Sequence, residues 1–123
     1  MTHVRAQIRT FALSLPEAFE DHPWGEDVAK VRGKVFVFLG TAGSDMPRMT
    51  VKLVESRGHA LSVEGAEPTG YGLGKSGWVT APLVADGVDL PLLCDWIEES
   101  YRIVAPKRLI SELDALVTTP SAK

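Results

Sequence analysis

A chain of 123 residues and 13.3 kDa is enough for one domain with a single buried core, and 45% hydrophobic with 24% charged residues is the balance of a water-soluble globular protein. No apolar run approaches the roughly 20 residues that cross a bilayer, residues 1–9 lack the apolar stretch of a signal peptide, and the single cysteine, Cys94, excludes an internal disulfide framework. These features predict a cytoplasmic protein of one domain, residues 1–123, with no membrane attachment, and the formal net charge of −3 argues against strong non-specific binding to nucleic acid.

Val4, Ile8, Phe11, Ala12 and Leu15 recur at helical spacing, so residues 3–14 read as an amphipathic helix with Thr2 as its N-cap, ended by Leu15-Pro16. Glu17 to Asp27 reads as an acidic connector holding the turn His22-Pro-Trp-Gly25. Val28 to Val31 and Val35 to Leu39 are β-rich runs joined by Arg32-Gly33-Lys34, the pattern of a hairpin. Val35 to Leu39 is apolar on both faces, which predicts a central strand covered at least in part on both sides. After a polar loop over residues 40–47, Met49, Val51 and Leu53 alternate with Thr50 and Lys52 as a strand with one wet face. Residues 55–61 suit a short helix weakened by Gly58, and Trp78 to Ala81 suits a strand stopped by Pro82.

Asp89 to Val104 carries the clearest helical pattern. Leu93, Trp96, Ile97, Tyr101 and Val104 line one face, Glu98 can pair with Arg102, and Asp89 with Pro91 supplies the helix start. Ala105-Pro106 ends it, Leu109, Leu113 and Leu116 mark a last short helix, and residues 118–123 read as a frayed tail. Helix, strands, then two helices define an α+β domain with an antiparallel sheet. Cys94, in an apolar helical stretch, reads as a core thiol.

Residues 68–79 are the densest in chemical signal, with four glycines around Tyr71, Lys75, Ser76 and Trp78. Gly72 to Gly77 matches G-x-G-x-x-G, yet that motif works by presenting a helix N-terminus to phosphate, and here a strand-like Trp-Val-Thr follows. A P-loop fails too, because position 69 is threonine and no helix follows. Two readings remain: Tyr71 and Trp78 pack over the sheet while the glycines make turns, or Lys75, Ser76 and backbone N–H groups cradle an anion while the aromatics stack on a planar group.

Charge is partitioned along the chain. Residues 1–27 and 81–123 each carry −3, whereas residues 28–80, with seven basic and four acidic groups, carry +3. Lys30, Arg32 and Lys34 lie at spacing two on the hairpin, which in a regular strand places them on one side, although the turn can rotate Lys34 away. With Lys52 they form either a basic wing for phosphates or a set of edge-protecting charges. His3, His22 and His59 are scattered with no cysteine partners, so no metal is expected. The adjacent acidic pairs diverge rather than face each other, so no acid/base site is expected either.

The order of His22-Pro-Trp-Gly25, Lys30…Gly33-Lys34…Phe36, Lys52, Gly70-Tyr-Gly-Leu-Gly-Lys-Ser-Gly-Trp78 and Glu99-Ser-Tyr-Arg…Ala105-Pro-Lys107 resembles the MmcQ/YjbR family of small bacterial proteins over about residues 4–116. The resemblance implies a frataxin (CyaY)-like architecture and DNA binding through hairpin wings. Iron at a frataxin-like acidic ridge does not carry over, since the first helix holds Arg5 and Arg9 and no acidic residue. The resulting expectation is a monomeric, cofactor-free binding protein rather than an enzyme. Its nucleic-acid site would comprise Lys30, Arg32, Lys34, Lys52, Lys75 and Trp78. The alternative is a small-molecule or protein-interaction module of Tyr71, Lys75, Ser76 and Trp78 with His22 and Trp24 nearby. A catalytic reading would need His22 within hydrogen-bond reach of Ser76.

Overall fold

The computed structural model describes residues 4–22, 26–40, 47–70, 73–84 and 87–118. Thr2, Trp24, Tyr71, the middle of the 40–47 loop and the end of the tail, all named above, lie outside the described residues. The chain runs α1 (Val4–Leu13), β1 (Phe19–Asp21), β2 (Asp27–Val31), β3 (Lys34–Gly40), β4 (Arg48–Lys52), α2 (Arg57–Leu61), β5 (Glu67–Pro68), a single 3₁₀ turn (Leu73–Ser76), β6 (Trp78–Pro82), α3 (Leu90–Val104) and α4 (Lys107–Thr118). The six strands form one antiparallel sheet in the order β1-β2-β3-β4-β6-β5. This is the α+β fold expected from the pattern of the chain. No helix among the described residues is long and apolar enough to cross a membrane.

Two short strands were not expected. Phe19 to Asp21, read as connector, pairs with β2 as an edge strand, and Glu67-Pro68 pairs with β6 at the other edge. Both edges are brief and carry charge or proline, which blunts edge-to-edge association.

The core lies on one face of the sheet. Ala29, Val31, Val37, Met49, Val51, Val79 and Ala81 join Ile8 and Ala12 of α1, Ala60 of α2, Leu93, Trp96, Ile97 and Tyr101 of α3 and Leu109 of α4 in a single apolar cluster. Trp96 is only 1% exposed, and each such fully buried large side chain stabilises the fold by about 1.5–3 kcal/mol. Asp89 caps α3 by accepting from Leu92 N–H at 3.0 Å.

The apolar run Val35 to Leu39 also reflects the register of its pairing. The β2–β3 register passes from Ala29↔Val37 to Lys30↔Val35 and from Asp27↔Gly40 to Val28↔Phe38, so Phe36 and Leu39 are extra residues without a partner on β2. Bulges of this kind let neighbouring side chains turn to the same side. Phe36, Val37 and Leu39 are accordingly all buried in the cluster under the helices. The hairpin turn uses Arg32 (φ 53°) and Gly33 (φ 81°), the two left-handed residues a two-residue antiparallel connection needs.

Helix α3 is joined to the sheet by Ser100. Its hydroxyl donates to Phe36 C=O at 2.5 Å and accepts Lys52 N–H at 2.9 Å. These two backbone groups sit one step beyond Val37↔Val51, where the β3–β4 pairing ends. The buried serine thus completes a ladder that the strands themselves no longer close. Replacing Ser100 with alanine leaves both groups without this partner inside the fold, and should lower the unfolding free energy by about 2 kcal/mol in urea titrations, whereas Ser100→Thr should lose less.

Candidate nucleic-acid interface

Residues directly opposite in a sheet share a face, so the ladder sorts the expected binding residues. Lys52 is opposite Trp78, and Thr50 is opposite both Thr80 and Phe38. Thr50 and Lys52 alternate with the buried Met49 and Val51, and Trp78 and Thr80 with the buried Val79 and Ala81. These side chains therefore lie on the face away from the core, and among the described residues no helix lies over it. Phe38 and Trp78 meet there edge to face, ring centroids 5.5 Å apart. Val28 and Lys30 of β2 share the face, as does Phe19, which pairs with Lys30 and is 45% exposed.

The structure brings Lys30, Lys52 and Trp78 together on this face and leaves Arg32 and Lys34 apart from it. Lys34 is opposite Val31, which is buried under the helices, so the turn carries Lys34 to the other side from Lys30. Arg32 occupies the hairpin tip, where it pairs with Glu17 at 3.4 Å, and Glu17 also holds Arg108 at 2.9 Å. The expected single basic row of Lys30, Arg32 and Lys34 is therefore broken by the hairpin's own register. Lys30 pairs with Asp21 at 2.8 Å. Lys52 and Lys75 have no ion-pair partner among the described residues.

Lys75 and Ser76 are exposed on the 3₁₀ turn that leads into β6. Gly77 follows with φ 98°, its C=O accepting Leu53 N–H at 2.9 Å. A Cβ at this position would stand 2.8 Å from Leu53 O. At least this glycine of the segment serves close backbone packing. Gly77→Ala should cost about 2–3 kcal/mol, combining left-handed strain with backbone overlap, and would appear as a lower urea midpoint at unchanged slope.

His22 and Ser76 do not meet. His22 leaves the edge strand β1, whereas Ser76 precedes β6, four strand spacings or roughly 19 Å away. The alternative module therefore loses His22 from its neighbourhood, and the catalytic pair is not formed. Instead, His22 Nδ1 lies 2.7 Å from Asp27 Oδ1 and Nε2 lies 3.9 Å from Glu20 Oε1. Glu20, His22 and Asp27 are spaced closely enough to hold a cation. Their carboxylates are already taken: Arg9 grips Glu20 through both oxygens, and Arg5 reaches Asp27 Oδ2 at 2.6 Å while also donating to Leu39 and Gly40 carbonyls. Hydrogen bonding from Arg9 holds the Glu20 carboxyl below its ordinary value, and Arg5 does the same for Asp27. Burial pushes the Cys94 thiol up, away from the reactive thiolate.

A groove of about 480 Å³ runs between α3 and residues 54–55, lined by Val54, Glu55, Asp95, Glu98, Glu99, Arg102 and Ile103. At its side, Glu99 Oε2 accepts N–H groups of Val54 and Glu55 at 2.8 Å and of Ser56 at 3.3 Å. Burial alone would raise the Glu99 carboxyl, but these bonds and the Ser56 side chain together hold it below its ordinary value. A depressed folded value means the stabilisation is complete above the unfolded pKa of about 4.3 and is lost as pH falls through the folded one. In urea titrations across pH, the advantage of wild type over Glu99→Gln should be largest near neutrality and shrink in acid.

Phe38, Thr50 and Thr80 belong to the face but were not singled out in the sequence. Their signal was register: aligning Lys52 with Trp78 places all three on one side.

The model of the YjbR family matches residues 13–103, well over half of the chain. The chain belongs to the YjbR family. The match covers the whole sheet, both hairpin lysines, the glycine segment and Glu99 to Arg102, and is narrower than the span over which the motifs alone suggest kinship. A crystal structure of a protein from Pseudomonas syringae is similar in fold, with a TM-score of 0.64 at 21% identity over 85% of this chain and 100% of that one. Comparison with curated proteins returns no match.

Proposed function

We propose that this YjbR-family protein is a cytoplasmic, monomeric binding protein, not an enzyme, and that it binds single-stranded nucleic acid weakly on the sheet face away from the helices. The observation that carries the reading is the placement of Lys52 directly across from Trp78, with Phe38 against the indole and no helix of the described residues over them. Aromatic faces stack on any splayed base, and lysines beside them neutralise the backbone without reading sequence. The hairpin contributes Lys30 to this face, with its tip at Arg32 and Lys34 set to one side. An overall charge of −3 keeps the affinity low and makes it depend on the few local lysines.

The test is fluorescence anisotropy with a labelled single-stranded DNA at about 50 and 200 mM salt. Contacts from Lys30, Lys52 and Lys75 predict a log–log salt slope near −2, and Lys52→Ala should reduce its magnitude by about 0.7 while weakening all sequences alike. Duplex of the same length should bind less tightly, because its bases are not free to stack. Absence of binding at low salt would overturn the reading. Exposure of Lys75 and Ser76 on the 3₁₀ turn would then favour a small-molecule or protein-interaction module centred on residues 68–79.

A further inference from the structure

The sheet face away from the helices carries a second chemical feature beside the stacking surface. Thr80 Oγ1 lies 2.9 Å from Thr50 Oγ1 and 3.0 Å from Thr69 Oγ1, so three hydroxyls form one chain across β4, β6 and the residue after β5. All three threonines are only partly buried. Thr80 is two residues from Trp78 along β6, and Thr50 is two residues from Lys52 along β4. The four residues make a quartet: Trp78 across from Lys52, and Thr80 across from Thr50. The hydroxyl pair stands roughly 7 Å from the stacking pair along the strands.

Three hydroxyls own three protons, and the two internal bonds use two of them. One donor and several lone pairs remain. That set suits a group which both donates and accepts at a single oxygen, as a ribose 2′-hydroxyl does and a deoxyribose carbon does not.

Resting on the single-strand reading above, we infer that the face prefers RNA over DNA, with a base on Trp78, its phosphate at Lys52, and its 2′-hydroxyl bonded to the Thr50–Thr80–Thr69 hydroxyl chain. Thr80, at the centre of that chain, is the residue that sets the preference.

The probes are oligouridylate and oligodeoxyuridylate of about twelve nucleotides, which differ only at the 2′ position and span a single-domain site. Anisotropy titrations of the wild-type chain should show the ribose form binding about two- to tenfold tighter, the range one net hydrogen bond supplies. A 2′-O-methyl oligomer, which cannot donate, should bind no better than the deoxy form. Thr80→Val should bring the ribose affinity down to that of the deoxy form measured on the same variant. Thr80→Ser, which keeps the hydroxyl, should retain the preference. A melting curve on each variant separates lost binding from lost fold, and the methylated oligomer tests the idea on unaltered protein. Equal binding of the ribose and deoxy forms overturns the RNA preference while leaving the single-strand face intact. No binding of either form at low salt overturns both.

Discussion

Beside the core packing of Leu93, Trp96 and Ile97, helix α3 is tied to the rest of the molecule by four consecutive side chains, and the sheet's geometry at its centre depends on the second of them. Ser100 closes the gap where β3 and β4 cease to pair, relaying Lys52 N–H to Phe36 C=O through one hydroxyl. Glu99 gathers three N–H groups of residues 54–56, just before α2. Tyr101 donates to Pro16 C=O at 2.7 Å while its ring meets Phe36 edge to face. Arg102 ties Glu98 to Asp114 of α4. Successive helix positions are turned about 100° apart, so four neighbours on one helix can address four different parts of the fold. The Ser100 bonds in particular satisfy groups that would otherwise be costly to bury.

With one sheet face committed to these contacts, the other carries the partly buried Phe38, Thr50, Lys52, Trp78 and Thr80, with no helix of the described residues over it. The bulges at Phe36 and Leu39 deepen this asymmetry by sending extra apolar side chains to the helix side. Phe38, Trp78 and Val28 remain on the far side as an apolar patch among threonines and lysines. Val28 is fully buried yet stands apart from the core under the helices.

Apart from Lys30, which pairs with Asp21, the cations with a carboxylate partner among the described residues are arginines. Arg5, Arg9, Arg32, Arg48, Arg102 and Arg108 all pair with carboxylates. Lys34, Lys52, Lys75 and Lys107 pair with none among the described residues. A planar guanidinium suits a fixed fork between elements, as Arg5 shows by serving Asp27 and two carbonyls at once. An ammonium is a hydrated point charge on a flexible stem, less suited to such a fixed fork. The basic excess of residues 28–80 thus overstates the charge available on any single surface.

Local pattern carried most of the architecture. The 3.6-residue stripe of Leu93, Trp96, Ile97 and Tyr101, the alternation of Met49 and Val51 with Thr50 and Lys52, and the Arg32-Gly33 turn each specify an element and its buried side, because periodicity and backbone preference act over a few residues. The acidic stretch holding β1 carried no such signal, since three residues are too few for a period and their pairing with β2 comes from elsewhere in the chain. Membership of the family was legible for a related reason: its motifs are residues whose roles are stated by identity, such as Gly77, where only a missing Cβ fits against Leu53, and Ser100, where only a small hydroxyl bridges two strands. The candidate site was not legible in the same way. Which lysines share a face depends on bulges and on which strand lies beside which, and those are settled by packing between residues tens of positions apart. That packing alone set Lys52 across from Trp78 and parted His22 from Ser76, while the hairpin's own register turned Lys34 away from Lys30.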